Sequence, residues 1–204
     1  MSETTGSARQ LFGVVARGQS YLNIIYLLLA LPLGTFYFVF LVTGLSLGFG
    51  MIITLVGIPI LLLVLGGSWA LRELERGLTI ALLKEDIPRQ SGRPTSSGLW
   101  PRLKAHLSNR VTWTGMLYLL LKFPIGIATF TIAVTLVAVT LGLLTAPIYY
   151  SFVDMAGSVW NIDTLWEAFL LTFIGIPMVF ISLHLMNGAA FVSGRFARVM
   201  LGKL

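Results

Sequence analysis

The chain of 204 residues contains no cysteine, so a disulfide framework, a thiolate nucleophile and a cysteine-based zinc site are all excluded. Charge is also scarce: 11% of residues are Asp, Glu, Lys or Arg, against about 25% in a soluble globular domain. Only two histidines occur, His106 and His184, and neither belongs to a cluster with metal-ligand spacing. No Ser-His-Asp set, catalytic carboxylate pair or phosphate-cradling glycine loop is visible, so the sequence reads as a non-enzyme with no cofactor and no metal site. What is abundant is apolar: 56% of residues are hydrophobic and the mean hydropathy is +0.89. A soluble enzyme, a disordered tail and a cytosolic binding module are excluded, and the solvent of this chain is a bilayer.

Residues 18–71 carry no charge at all. One crossing takes about 20 apolar residues, so this run holds two spans. The sequence places them near 21–43 and 47–71, with an uncharged glycine-rich turn at 44–50. A third span falls near 114–139, extendable to 146, and a fourth near 164–190. The fold class is therefore all-α: a polytopic, four-helix membrane protein forming one domain over 1–204.

Net charge is +6, with 14 Lys and Arg against 8 Asp and Glu. In a soluble domain that excess would suggest nucleic acid; here it is a topology signal, and no nucleic-acid partner is expected. Two basic residues lie in the N-terminal arm, eight in the 72–112 connection and three in the C-terminal tail, while 44–50 and 147–163 have none. The positive-inside rule then puts both termini and the long connection in the cytoplasm of a cell-membrane protein. Trp69, Trp100 and Trp113 mark the inner interface, and Trp160 and Trp166 the outer one.

The halves resemble each other. Tyr26-Leu-Leu-Leu-Ala-Leu-Pro32-Leu-Gly34-Thr-Phe-Tyr-Phe38 aligns with Tyr118-Leu-Leu-Leu-Lys122-Phe-Pro124-Ile-Gly126-Ile-Ala-Thr-Phe130, identical at seven of thirteen positions. Gly57-Ile-Pro59 likewise matches Gly175-Ile-Pro177. Two spans per half make this a tandem parallel repeat of helical hairpins. Pro32, Pro59, Pro124 and Pro177 each remove a backbone donor and free a carbonyl. Read functionally they are four kinks around a cavity; read structurally they are ordinary bends.

These stretches, with Arg72-Glu-Leu-Glu-Arg76, Leu99-Trp100, Thr112-Trp113, Ala133-Val-Thr135 and Ala146-Pro147-Ile-Tyr149, resemble the putative sensor domain family. That family supplies the membrane input module of actinobacterial and archaeal histidine kinases, and also occurs as stand-alone archaeal membrane proteins. The resemblance covers roughly 18–200. It implies a sensor that detects a membrane or envelope stimulus and passes it to a separate signalling partner, such as a histidine kinase, a response regulator or another membrane protein. This chain shows neither a phosphoacceptor helix nor an ATP-binding segment of its own. A small transporter or permease subunit, and a membrane scaffold, are the alternatives, and homo-oligomerisation is compatible with each.

Lys122 is the one formal charge deep in a span. It either faces the bundle and pairs with Glu73 or Glu75 (or senses anionic lipid), or it snorkels to the interface. His184, at similar depth in the fourth span, is a candidate proton sensor or a packing residue. The loop 147–163 brings Asp154 and Asp163, with Glu167 just beyond; they suit a cation, but Thr164 and Glu167 also read as a helix capping box. Residues 71–84 read as an amphipathic continuation of the second span, with Arg72, Glu73, Glu75 and Arg76 on one side and Leu74, Leu78, Ala81 and Leu82 on the other. Trp100, Arg102 and Lys104 sit on a second basic helix over 100–109. Anionic headgroups at the cytoplasmic face, or a docked partner, are what these two helices would contact.

Overall fold

The computed structural model describes residues 18–85, 87, 108, 110–149 and 164–202. Four helices account for almost all of them: α1 (Gly18–Gly50), α2 (Gly57–Leu83), α3 (Arg110–Tyr149) and α4 (Leu165–Gly202), with no strand among the described residues. Each contains a stretch long and apolar enough to cross a membrane. Lipid offers the backbone no hydrogen-bond partner, so a chain this apolar satisfies its peptide groups within helices.

The helices are longer than the expected spans. α1 runs through 44–50 rather than turning there, because Gly44 and Gly48 lie one helical turn apart on the face that meets α2. A Cβ on Gly44 would collide with the Val64 side chain, and one on Gly48 would sit 2.6 Å from Leu61 Cδ2. These glycines permit close approach of two helices, the usual role of small residues in membranes. The reversal comes later, at Met51–Val56, through a short 3₁₀ turn (Ile52–Thr54) closed by Leu55 in the left-handed region, φ 61°. Gly57 completes the hairpin by donating its N–H to Met51 O at 3.0 Å, where a side chain would strike the Gly48 carbonyl. α2 ends at Lys84, also left-handed, and α4 continues beyond residue 190 to carry Arg195 and Arg198 on its last turns.

α1 packs most extensively on α3. Their crossing is reciprocal: Gly34 lies against the Lys122 carbonyl, and Gly126 lies against the Ala30 carbonyl. A Cβ at Gly34 would stand 2.8 Å from Lys122 O, so the crossing admits no side chain. α3 and α4 are antiparallel, joined by Thr140–Ser182 at 2.8 Å and the stacked pair Tyr118–Phe196. α2, however, runs alongside α3 in the same direction: Trp69 Nε1 donates to Thr112 Oγ1, the Arg72 guanidinium lies on Gly115, and Glu75 meets Tyr118, each pair at one constant spacing. α4 opposes α2, with Gly194 beside Leu83 and Leu201 beside Trp69 and Arg72. The turn at Met51–Val56 and the start of α4 thus lie toward opposite ends of the bundle, where the charge pattern expects them on one side. Counting Lys and Arg in loops carries no information about the α1–α3 crossing, which here sets the relative sense of the hairpins.

The main core joins Tyr37, Leu41, Leu61, Val64 and Leu65 to Met116, Tyr118, Leu119, Ala197 and Leu201. A second cluster gathers Leu27, Ala133, Met186 and Ala190.

Candidate functional site: a buried carboxylate between three helices

Residues 61, 65, 68, 72, 75 and 79 recur at helical spacing on α2, and all are buried. Glu75 is therefore aimed into the bundle, fully inaccessible. Facing it are Tyr26 and Tyr37 from α1 and Tyr118 and Lys122 from α3, four side chains brought together by the α1–α3 crossing.

The carboxylate is well supplied. Tyr26 and Tyr118 donate their hydroxyls to Glu75 Oε1 at 3.0 and 3.1 Å, and Tyr37 donates to Oε2 at 3.1 Å. Lys122 Nζ lies 2.5 Å from Oε1 and donates to the Tyr26 oxygen at 2.6 Å. The ammonium also stands 4.3 Å from the Tyr26 ring centroid, within cation–π range. An isolated charge in an apolar interior would cost several kcal/mol; here each ion neutralises the other, and three phenols hold the carboxylate. Thr79 Oγ1 closes the group from below by donating to the Glu75 backbone carbonyl at 2.9 Å.

One turn from Glu75, Arg72 is also buried, with its guanidinium 5.1 Å from the Trp69 ring centroid and pressed on Gly115. A cavity of about 30 Å³ adjoins it, lined by Trp69, Arg72, Glu73, Arg76 and Leu201, which is room for one or two waters. Glu73 points outward and takes Arg76 at 3.0 Å, while Arg76 Nε donates to Ile87 O at 2.9 Å.

The structure thus selects among the sequence-derived residues. Lys122 faces the bundle and does not snorkel: it is 2% exposed, and its partner is Glu75 rather than Glu73. The amphipathic reading of 71–84 is inverted. Arg72, Glu75 and Thr79 face inward, whereas Glu73, Leu74 and Ile80 are exposed, because the buried Arg72 and Glu75 find their partners among Trp69, Tyr26, Tyr37, Tyr118 and Lys122. His184 is exposed, with Nδ1 3.0 Å from Phe180 O, and stands apart from the carboxylate. Pro32, Pro124 and Pro177 lie within helices but on exposed faces, so no kink turns a ring toward a central cavity. Pro59 is the third residue of α2, where its missing N–H would have had no helical acceptor, and it is no mid-span kink. Glu167 belongs to a capping box: Thr164 N–H donates to Glu167 Oε2 at 3.2 Å and Glu167 N–H to Thr164 Oγ1 at 3.4 Å. Trp100, Arg102, Lys104, Asp154 and Asp163 lie outside the described residues. Among the described residues no cluster of His, Asp and Glu could hold a metal ion.

Sequence reasoning passes over the three tyrosines, which read as part of an apolar motif. The signal that could have found them is spacing: Tyr118 and Lys122 are one turn apart, and Tyr26, Ala30, Gly34, Tyr37 and Leu41 share one helix face.

Four long apolar helices around a buried ion pair define a multi-pass helical membrane protein. The Sensor family, described as "Putative sensor", matches residues 26–201, almost the whole chain. The chain belongs to that family. No curated protein and no solved structure matches it.

Proposed function

We propose that this protein is the membrane-embedded part of a sensor, detecting a stimulus within or at the membrane and relaying it through the 72–112 connection to a separate signalling partner. The observation that carries the reading is Glu75. It lies on α2, the helix that leads into the connection, yet its partners come from α1 and α3. A shift of α1 against α3 at the Gly34/Gly126 crossing changes the distances around the carboxylate, and α2 must turn or slide to keep its charge paired. A hydrophobic contact slides at little cost; a buried ion pair does not. The inner face of α2 is thereby coupled to the other two helices at a point two turns before the connection begins its polar course at Lys84. The basic residues that precede α1 and those that follow α2 favour the cytoplasmic side.

The test is affinity purification of the tagged protein from its native membranes in mild detergent, with quantitative mass spectrometry of what accompanies it. Enrichment of a histidine kinase, response regulator or transcription factor, lost when residues 88–107 are scrambled, is the expected outcome. Recovery of transport subunits alone, or of nothing, would sink the relay.

A further inference from the structure

A second polar site lies where α1 begins and α2 ends. A cavity of about 210 Å³ is lined by Gln19 and Asn23 of α1, Leu83 and Glu85 at the end of α2, and Asn187, Ala190 and Phe191 of α4. A single ordered water occupies roughly 10–15 Å³ on such a measure, so this space holds far more than one structural water.

Its walls are acceptor-rich and already partly organised. Gln19 Nε2 donates to Asn23 Oδ1 at 3.0 Å and to the Leu82 carbonyl at 2.6 Å. Asn23 Nδ2 donates to Asn187 Oδ1 at 2.9 Å, and Asn187 Nδ2 donates to Ser20 Oγ at 3.1 Å. This chain of amides fixes their orientations and uses both N–H groups of Gln19 and one each of Asn23 and Asn187. One acceptor is left over: Gln19 Oε1 is buried and has no donor among the described residues. The carbonyl end of α2, which carries partial negative charge, faces the same region, and the Glu85 carboxylate adds a full one. Such a site calls for a ligand that is cationic and brings several N–H donors, which describes a primary ammonium. A quaternary ammonium offers the charge without the donors and leaves Gln19 Oε1 unpaired.

The rim carries the opposite sign. Arg198 stands 3.6 Å from Glu85, and Arg195 lies over the Phe191 ring at 5.8 Å; both arginines are exposed. An anion a few ångströms from the ammonium would meet them. We propose that the cavity binds a phosphorylated primary amine, the ammonium among Gln19, Asn187 and Glu85 and the phosphate against Arg195 and Arg198. The lipid form of that chemistry is an aminoethyl phosphate headgroup, and the soluble form is phosphoethanolamine. The site is separate from the Glu75 cluster and does not rest on the relay.

The experiment is native mass spectrometry of the full chain released from nanodiscs containing equal parts of phosphatidylethanolamine, phosphatidylcholine and phosphatidylglycerol. Severalfold enrichment of retained phosphatidylethanolamine over both others is expected, and Asn187→Leu should abolish it while Glu85→Gln reduces it. Millimolar phosphoethanolamine added to lipid-stripped protein distinguishes the sources. Retention at a matching mass, with no lipid preference in the nanodiscs, assigns the site to the soluble form. Equal retention of phosphatidylcholine, or preference for phosphatidylglycerol, together with no phosphoethanolamine adduct, overturns the proposal. Because the lipid preference is read on the unaltered protein, it decides the matter even where a variant fails to fold.

Discussion

The two halves of the chain are alike in frame and unlike in charge. Tyr26 and Tyr118 occupy aligned positions and donate to the same oxygen of Glu75. Gly34 and Gly126 occupy aligned positions and each packs on the other helix's backbone. Yet the position aligned with Lys122 is Ala30, and the one aligned with Glu75 is Ser193, whose hydroxyl only bonds back to Ala189 O at 2.9 Å. The acid stands on one half and the base on the other. The aligned positions supply the close crossing and two of the phenols, while the Glu75–Lys122 pair, without a counterpart at Ser193 and Ala30, ties α2 to α3.

The largest consequence concerns the relative sense of the hairpins. The charge pattern sets both uncharged turns on one face, whereas the packing sets them at opposite ends, and one bilayer cannot accommodate both. A chain free of cysteine allows a clean decision: Phe38→Cys with Phe123→Cys, whose rings stack at 4.7 Å, should cross-link in high yield with a short bis-maleimide, whereas the charge pattern sets 38 in the outer half of the first span and 123 in the inner half of the third. No bridging at that pair would return the hairpins to the parallel arrangement expected from charge.

Next in size, Lys122→Met leaves Glu75 buried without a cation and should cost about 3–5 kcal/mol, measured as a loss in unfolding free energy in detergent. Ala30→Lys, the aligned change, adds an unpaired charge and should not substitute for it. Gly34→Val and Gly126→Val drive a side chain into backbone on either side of the crossing, for about 1–3 kcal/mol each. Similar losses from the pair would mark the crossing as symmetric. Smallest, Tyr118→Phe removes one hydrogen bond to a charged group, about 1.5–3 kcal/mol at most. Tyr26→Phe should cost more than Tyr118→Phe, because Tyr26 also accepts from Lys122. Equal losses would mean that the lysine leans on Glu75 alone.

Much of the fold is legible in the sequence because the bilayer demands it. The uncharged run 18–71 admits little but two helices, and the position of Lys122 restricts its partner to the foot of α2. The rotation of α2 is not legible from a rule that sends apolar faces inward, since in this setting Leu74 and Ile80 belong outside. Gly44 and Gly48 read as a turn because glycine has two uses, and only the opposing Val64 and Leu61 reveal the second. The tyrosines of the site hide in an aromatic, apolar motif, where the hydroxyl weighs little in any hydropathy scale and decides everything about which acid it can hold.

Glu75 and Lys122 act as one unit binding α1, α2 and α3. A double-mutant cycle with Glu75→Gln, Lys122→Met and the combination, read by unfolding free energy, tests it most directly. The double variant should recover most of the loss suffered by Lys122→Met, a coupling of about 2 kcal/mol or more. Additive losses would show that the two charges, though adjacent, stand on their own, and that no ion pair ties α2 to α1 and α3.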